Sequence, residues 1–202
     1  LARSKAKTAV FFNEEAAEKA EGAENLDAIL VSSNSRPLPA DEAYEKVKSA
    51  TLALKRMGVK YFSKRIDTTL RGGVGTEIDA MLDQLDENAI AVVVPAMPQS
   101  RRILVGGYSI IDGVALINTP VAQDVRTPVK ENYMPRLLEG QTRRKVGLVT
   151  LDYILKGRED TEKRLMEVRK EGCKVIVVDA ITLEDVETIA DACIALNWNV
   201  VA

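Results

Sequence analysis

Short apolar runs recur along the chain at intervals that suit buried strands. Thr8 to Phe12, Ala28 to Ser32, Tyr61 to Ser63, Ala89 to Val94, Lys145 to Thr150 and Lys174 to Val178 set apolar residues side by side, the pattern of strands covered on both faces. Between them the spacing changes to threes and fours. Val47, Ala50, Leu54 and Met57 mark one helical face, Ile78, Leu82 and Leu85 a second, and Val186, Ile189, Ala190 and Cys193 a third. Thr182 with Asp185 three residues on has the form of a capping box opening the last of these helices. This alternation predicts an α/β fold, a largely parallel sheet with helices on both faces in three layers, whose ligands gather at the carboxyl ends of strands.

One stretch departs from the rhythm. Tyr108 to Ile117 carries two apolar arms around Asp112-Gly113, a pair suited to a type I′ turn, and predicts a β-hairpin. Asn118 to Gln141, with Pro120, Pro128 and Pro135, is the least regular part and reads as a long loop over a site. The 202 residues, 46% of them hydrophobic, suffice for one core, so residues 1–202 are expected to form a single α/β domain. The opening without methionine and the closing Asn197 to Ala202, which reads as a strand just starting, suggest a piece of a larger two-domain protein.

Charge narrows the function classes. The 28 basic and 30 acidic residues nearly cancel, so no global field draws in nucleic acid or an anionic membrane, and any charged recognition is local. No apolar run nears the roughly 20 residues a bilayer span needs, and the first residues lack a signal peptide's apolar stretch. Cys173 and Cys193 are too few for a disulfide scaffold and read as packed thiols, so a cytoplasmic location is expected. Histidine is absent, which leaves carboxylates, lysine, arginine, hydroxyls and backbone amides to do any chemistry. Arg143-Arg144-Lys145 reads as a solvated turn, and Trp198 as packing against the core or a further domain.

Three loops that follow strands carry the chemistry. After Ser63 come Lys64, Arg65, Asp67, Thr68, Thr69, Arg71 and the glycines Gly72, Gly73 and Gly75, with a helix opening near Thr76. Glycines let backbone approach a ligand, a helix start favours negative charge, and arginine grips a carboxylate through two parallel bonds. A second loop runs from Pro95 through Arg101 and Arg102 to Gly106 and Gly107, and a third from Ser32 through Ser35 and Arg36 to Pro37. Each alone also reads as ordinary turn chemistry. Their gathering at one sheet edge favours a pocket for a small oxygen-rich anion. Neither the Walker phosphate loop nor the dinucleotide glycine fingerprint is matched.

At these residues the sequence resembles the four-carbon acid-sugar kinase family, in its N-terminal substrate-binding domain. The family pattern runs Lys, a basic residue, Ile or Val, then Asp-Ser-Thr-Leu-Arg-Gly-Asn and a later Gly-x-Glu. Lys64 to Glu77 follows it, with Thr68 in place of serine, keeping the hydroxyl, and Gly73 in place of asparagine, losing an amide. The resemblance continues through Pro95-Ala96-Met97-Pro98, Arg102, Gly106-Gly107-Tyr108, Gly113, Val114, Leu116, Thr119, Asp124, Thr127-Pro128 and Val129. Arg101 replaces a family glycine, and Ser35-Arg36 matches the family's Ser-Arg. The family's Asp-Asp-x-Thr-Gly-Ala motif and its C-terminal nucleotide domain have no counterpart in the sequence.

The resemblance implies a kinase that uses ATP and Mg2+, held mainly by the other domain, to phosphorylate a terminal hydroxyl of a threonate, erythronate or 3-oxo-tetronate type acid. The 202 residues alone are then expected to be inactive. It implies Arg71 as carboxylate clamp, Asp67 as catalytic base or hydroxyl acceptor, and Lys64 facing developing phosphate charge. Ser35, Arg36, Thr69, Gly72, Arg102, Gly106 and Gly107 complete the implied substrate-binding set. The expected partner is a small-molecule sugar acid, with no nucleic acid and no membrane, and homodimerisation is left open. Two other readings stand beside it: a non-catalytic regulatory module for an anionic metabolite, and a structural interaction domain without a ligand.

Overall fold

A computed structural model describes residues 5–202. The centre is a parallel sheet of β3 (Ile90–Val93), β7 (Val146–Val149), β8 (Val175–Val178) and β9 (Val200–Val201), in the order β7-β8-β3-β9. All four residues of β3 and all four of β8 are buried, which accounts for their unbroken apolar sequence. Successive side chains leave a strand on opposite faces, so these two strands feed two cores at once. Ala91, Val93, Val175 and Val177 pack beside α3 (Val74–Leu82) and α4 (Met134–Glu139). Ile90, Val92, Ile176 and Val178 pack beside α6 (Arg158–Lys170) and α7 (Leu183–Ala195). Helices therefore cover both faces, as the alternation predicts.

The remaining strands form two smaller sheets. β1 (Thr8–Phe11) and β2 (Ala28–Val31) pair in parallel. β4 (Arg102–Val105), β5 (Tyr108–Ile111) and β6 (Val114–Ala115) form an antiparallel sheet. The hairpin expected over 108–117 is its β5–β6 part, turning at Asp112 and Gly113 with φ of 50° and 79°. From β2 the chain crosses through α2 (Ala40–Arg56), whose Asp41 and Glu42 open and Lys55 and Arg56 close the helix in accord with its dipole.

Four expectations need correction. The strand at Tyr61–Ser63 reduces to one parallel bridge between Phe62 and Val201, because only two residues of β9 follow Asn199 to pair with it. The stretch 118–141 is not a bare loop: it makes a 3-10 turn at Pro120–Gln123 and then α4, with Pro135 tolerated in the first helical turn and Met134 and Leu138 fully buried. α3 begins at Val74, two residues before Thr76. Arg144 is not solvated, and Arg143, although exposed, is engaged as well. Arg144 binds Asp79 and lies 2.6 Å from Asp83, and Arg143 binds Asp83 as well, fastening the approach to β7 onto α3. The Thr182–Asp185 capping box forms in both directions. Cys173 and Cys193 are free thiols packed in the second core, and Trp198 packs there too, under the Arg169 guanidinium.

Candidate functional site

The loop after Phe62 is held from below. Leu70 buries its side chain while its backbone takes φ of 51°, a left-handed conformation uncommon for leucine, and Gly72 follows at 89°. A Cβ on Gly72 would meet Arg36 Cγ and the Arg36 carbonyl oxygen at 3.0 Å. Glycine thus lets the Ser35-Arg36 loop lie directly on the Gly72 turn. Gln141 clamps the same turn: its Oε1 accepts from the Gly75 amide at 2.9 Å and its Nε2 donates to the Gly72 carbonyl at 3.0 Å. One amide at the start of α3, that of Gly75, is therefore already bonded to a side chain.

Two networks lie above this base. In the first, Lys64 Nζ sits 2.7 Å from Glu77 Oε2 with both side chains largely buried. Ser35 donates to the other Glu77 oxygen and pairs with Ser33 at 2.8 Å. In the second, Asp67 accepts from the Thr69 hydroxyl and from Arg71 Nε, each at 2.5 Å, and Arg71 Nη1 reaches Asp124 at 2.9 Å. Arg102 Nη1 donates to Thr68 at 2.8 Å and lies 3.7 Å from Asp67.

Burial pushes the Asp67 carboxyl up, but hydrogen bonds from Thr69 and Arg71 outweigh it and hold the group below the ordinary carboxylate range. Asp124 is lowered to about 2 by the Thr127 amide, Arg71 and the Arg126 amide. Both carboxylates are ionised at neutral pH, and Arg71 bridges them.

A cleft of about 1220 Å³ opens over these groups, and Ser35, Arg36, Lys64, Asp67 and Arg71 line it together with Glu77, Asp124 and Arg126. Thr69 lies beneath, buried against Asp67, and Gly72 lines an adjoining hollow shared with Arg36 and Arg126. Arg102 touches the site through Asp67 and Thr68. Gly106 and Gly107 are not among the residues lining the cleft. They form the β4–β5 turn, where their amides donate to Asp179 at 2.6 and 2.9 Å.

Four residues gained roles that the sequence reading did not assign: Glu77, Asp124, Gln141 and Asp179. Asp179, fully buried, also accepts from the Leu151 amide at 3.0 Å, and burial raises its carboxyl above the ordinary value. Its signal was present as a charged residue directly after the buried run Val175–Val178.

The Gly72–Gly75 turn is not built as a phosphate-binding loop. Among the described residues no group of three or more His, Cys, Asp or Glu side chains is placed to hold a metal ion. The space beside Gly72 and Gly75 is filled by Arg36 and Gln141 rather than left as a phosphate cradle.

Comparisons with known proteins show the family. A family model described as a sugar-binding N-terminal domain matches residues 1–201. The chain is 38% identical over its whole length to a D-erythronate kinase of Heliobacterium modesticaldum, covering 46% of that protein. It is 32% identical over 171 residues, 83% of this chain, to a 3-oxo-tetronate kinase of Haemophilus influenzae, covering 41% of that protein. The chain thus spans about half the length of the curated relatives it matches. Among solved structures, a domain of unknown function from Bordetella bronchiseptica, crystallised with bound citrate as a domain-swapped dimer, superposes with a TM-score of 0.84. That match is 29% identical and covers 97% of this chain and 47% of the other.

Proposed function

The chain belongs to the sugar-binding N-terminal domain family, and from that premise we propose that it is the substrate-binding half of an ATP-dependent kinase for a four-carbon sugar acid. The observation that carries the reading is the meeting of Arg36, Lys64 and Arg71 with Asp67 and Glu77 around one cleft. Arg36 comes from the loop after β2, Lys64, Asp67 and Arg71 from the loop after the Phe62 segment, and Glu77 from α3. A sugar acid offers one carboxylate and several hydroxyls, which such a mixture of cations and ionised carboxylates complements. The kinase names of the relatives and the citrate in the Bordetella structure support an acidic small molecule as ligand.

In this reading Arg71 meets the acid's carboxylate through Nη2, the guanidinium nitrogen not engaged by Asp67 or Asp124, and Arg36 adds a second cation. Asp67, kept ionised by Thr69 and Arg71, accepts hydrogen bonds from the sugar hydroxyls and orients the one to be phosphorylated. Its lowered pKa suits an acceptor and positioning group better than a strong base. Lys64, neutralised by Glu77 in the absence of ligand, faces the cleft where phosphate charge develops. ATP and Mg2+ are assigned to a further domain, in keeping with the kinase names of relatives about twice this length; ATP supplies the transferred phosphoryl group when bound there. The Gly106-Gly107 turn is proposed to support this site from outside the cleft.

The test is a coupled assay of ATP consumption by the complete polypeptide with erythronate, threonate and 3-oxo-tetronate, alongside six-carbon acids. Turnover confined to one or more four-carbon acids is expected. Absence of turnover with all of them, in folded protein, overturns the reading.

A further inference from the structure

The cleft is larger and more apolar than its proposed ligand requires. At about 1220 Å³ it exceeds even the roughly 300–1,000 Å³ of drug-sized ligand pockets. Its floor is Val47, Ala50 and Leu54 of α2 with Val74 and Met81 of α3. A four-carbon acid has no apolar surface to set against that floor.

The walls are the edge of β2 with the loop that follows it, and the extended segment around Phe62. One wall is the continuous run Ala28 to Pro37 and the other the continuous run Gly58 to Asp67. Successive side chains of a strand point to opposite faces, so consecutive residues line one cavity only when the strand's edge is turned to it. The hydrogen bonds agree. Ala28 and Ser32 donate to the Lys7 and Phe11 carbonyls on the β1 side. In a parallel ladder alternate residues serve one neighbour, so Ile29 and Val31 turn their amides and carbonyls into the cleft. On the opposite wall Lys64 donates to Ala202, and Ala202 to Phe62, which leaves Tyr61 and Ser63 turned the same way. Among the described strands, β2 pairs only with β1 and Phe62 only with Val201. Tyr61, 92% exposed, stands at this edge.

The connection between the walls fits a skipped position. β2, α2 and the Phe62 segment form a strand–helix–strand crossover, and α2 spans the gap as floor rather than closing it. Two unpaired edges across an apolar floor form the site of one missing strand.

We propose that the cleft seats one additional β-strand, parallel to β2 and to the Phe62 segment. The strand is supplied by the polypeptide outside these 202 residues. The curated relatives are about twice as long as the part matched here, which supplies chain for this purpose. With the strand in place, β1-β2 and β9-β3-β8-β7 join into one continuous parallel sheet. Its carboxyl end emerges between Ser33-Ser35 and Lys64-Asp67, so the residues that follow enter the site. The strand stands independently of the sugar-acid reading; only the role of its carboxyl end rests on that reading.

Amide hydrogen exchange on the complete polypeptide, resolved residue by residue by NMR, tests this. A seated strand protects Ile29, Val31 and Ser63 as strongly as Leu30, roughly 100-fold or more over an open edge, at every protein concentration and without ligand. Fast exchange at Ile29 and Val31 beside a protected Leu30 overturns the proposal. So does protection that arises only on self-association, which identifies a second copy as occupant, or only on adding a sugar acid. If protection holds while no sugar acid binds, the strand survives and the sugar-acid reading fails.

Discussion

At the scale of single residues, the site depends on Arg71 as a bridge. It binds Asp67 and Asp124, residues 57 positions apart in the chain, so removing it leaves two carboxylates facing one cleft. Arg71→Ala is expected to weaken sugar-acid binding at least tenfold, about 1.4 kcal/mol, by titration calorimetry. Asp124 and Asp83 both fall from 3.8 to about 2 in the folded chain. A carboxylate with a lowered folded pKa stabilises fully above its unfolded pKa, and that contribution is lost as pH falls through the folded value. Thermal midpoints followed by circular dichroism should therefore drop between the ordinary 3.8 and about 2, less steeply in Asp124→Asn. Asp179→Asn places an amide donor against three backbone donors. A loss of roughly 1–3 kcal/mol in urea unfolding is expected, with the Gly106-Gly107 turn loosened.

At the scale of elements, what was legible in the sequence is what local chemistry decides. Val175–Val178 reads as a buried strand because nothing polar interrupts it, and Thr182 with Asp185 reads as a cap because both partners lie within one turn. α6 was not legible: it buries only Thr161, Leu165 and Val168, too few to mark an apolar face among its charges. Nor was the Arg144–Asp79 pair, whose partners are 65 residues apart. Thr182→Ala should cost about 1 kcal/mol through loss of the cap. Gly147→Ala should cost about 1–3 kcal/mol, because the new methyl would collide with Val168 Cγ1 and lie 3.0 Å from Cys173 Sγ, forcing β7 and α6 apart. Both are measured by chemical denaturation.

At the scale of the whole molecule, the sequence indicated the α/β alternation and the loops that carry cations and carboxylates. Ser35, Arg36, Lys64, Asp67 and Arg71 do line one cleft, while Gly106 and Gly107 follow Asp179 instead. What the sequence could not indicate is the break in the parallel sheet beside β2, since an apolar strand reads alike with one neighbour or two. That break opens the cleft along β2 and the Phe62 segment, and the polar groups meet at the carboxyl end of both. The most direct measurement is titration calorimetry of a four-carbon sugar acid into the complete polypeptide, compared with Asp67→Asn. The account predicts saturable one-to-one binding, weakened at least tenfold in the variant. No binding heat with erythronate, threonate or 3-oxo-tetronate, or equal affinity in Asp67→Asn, would contradict it.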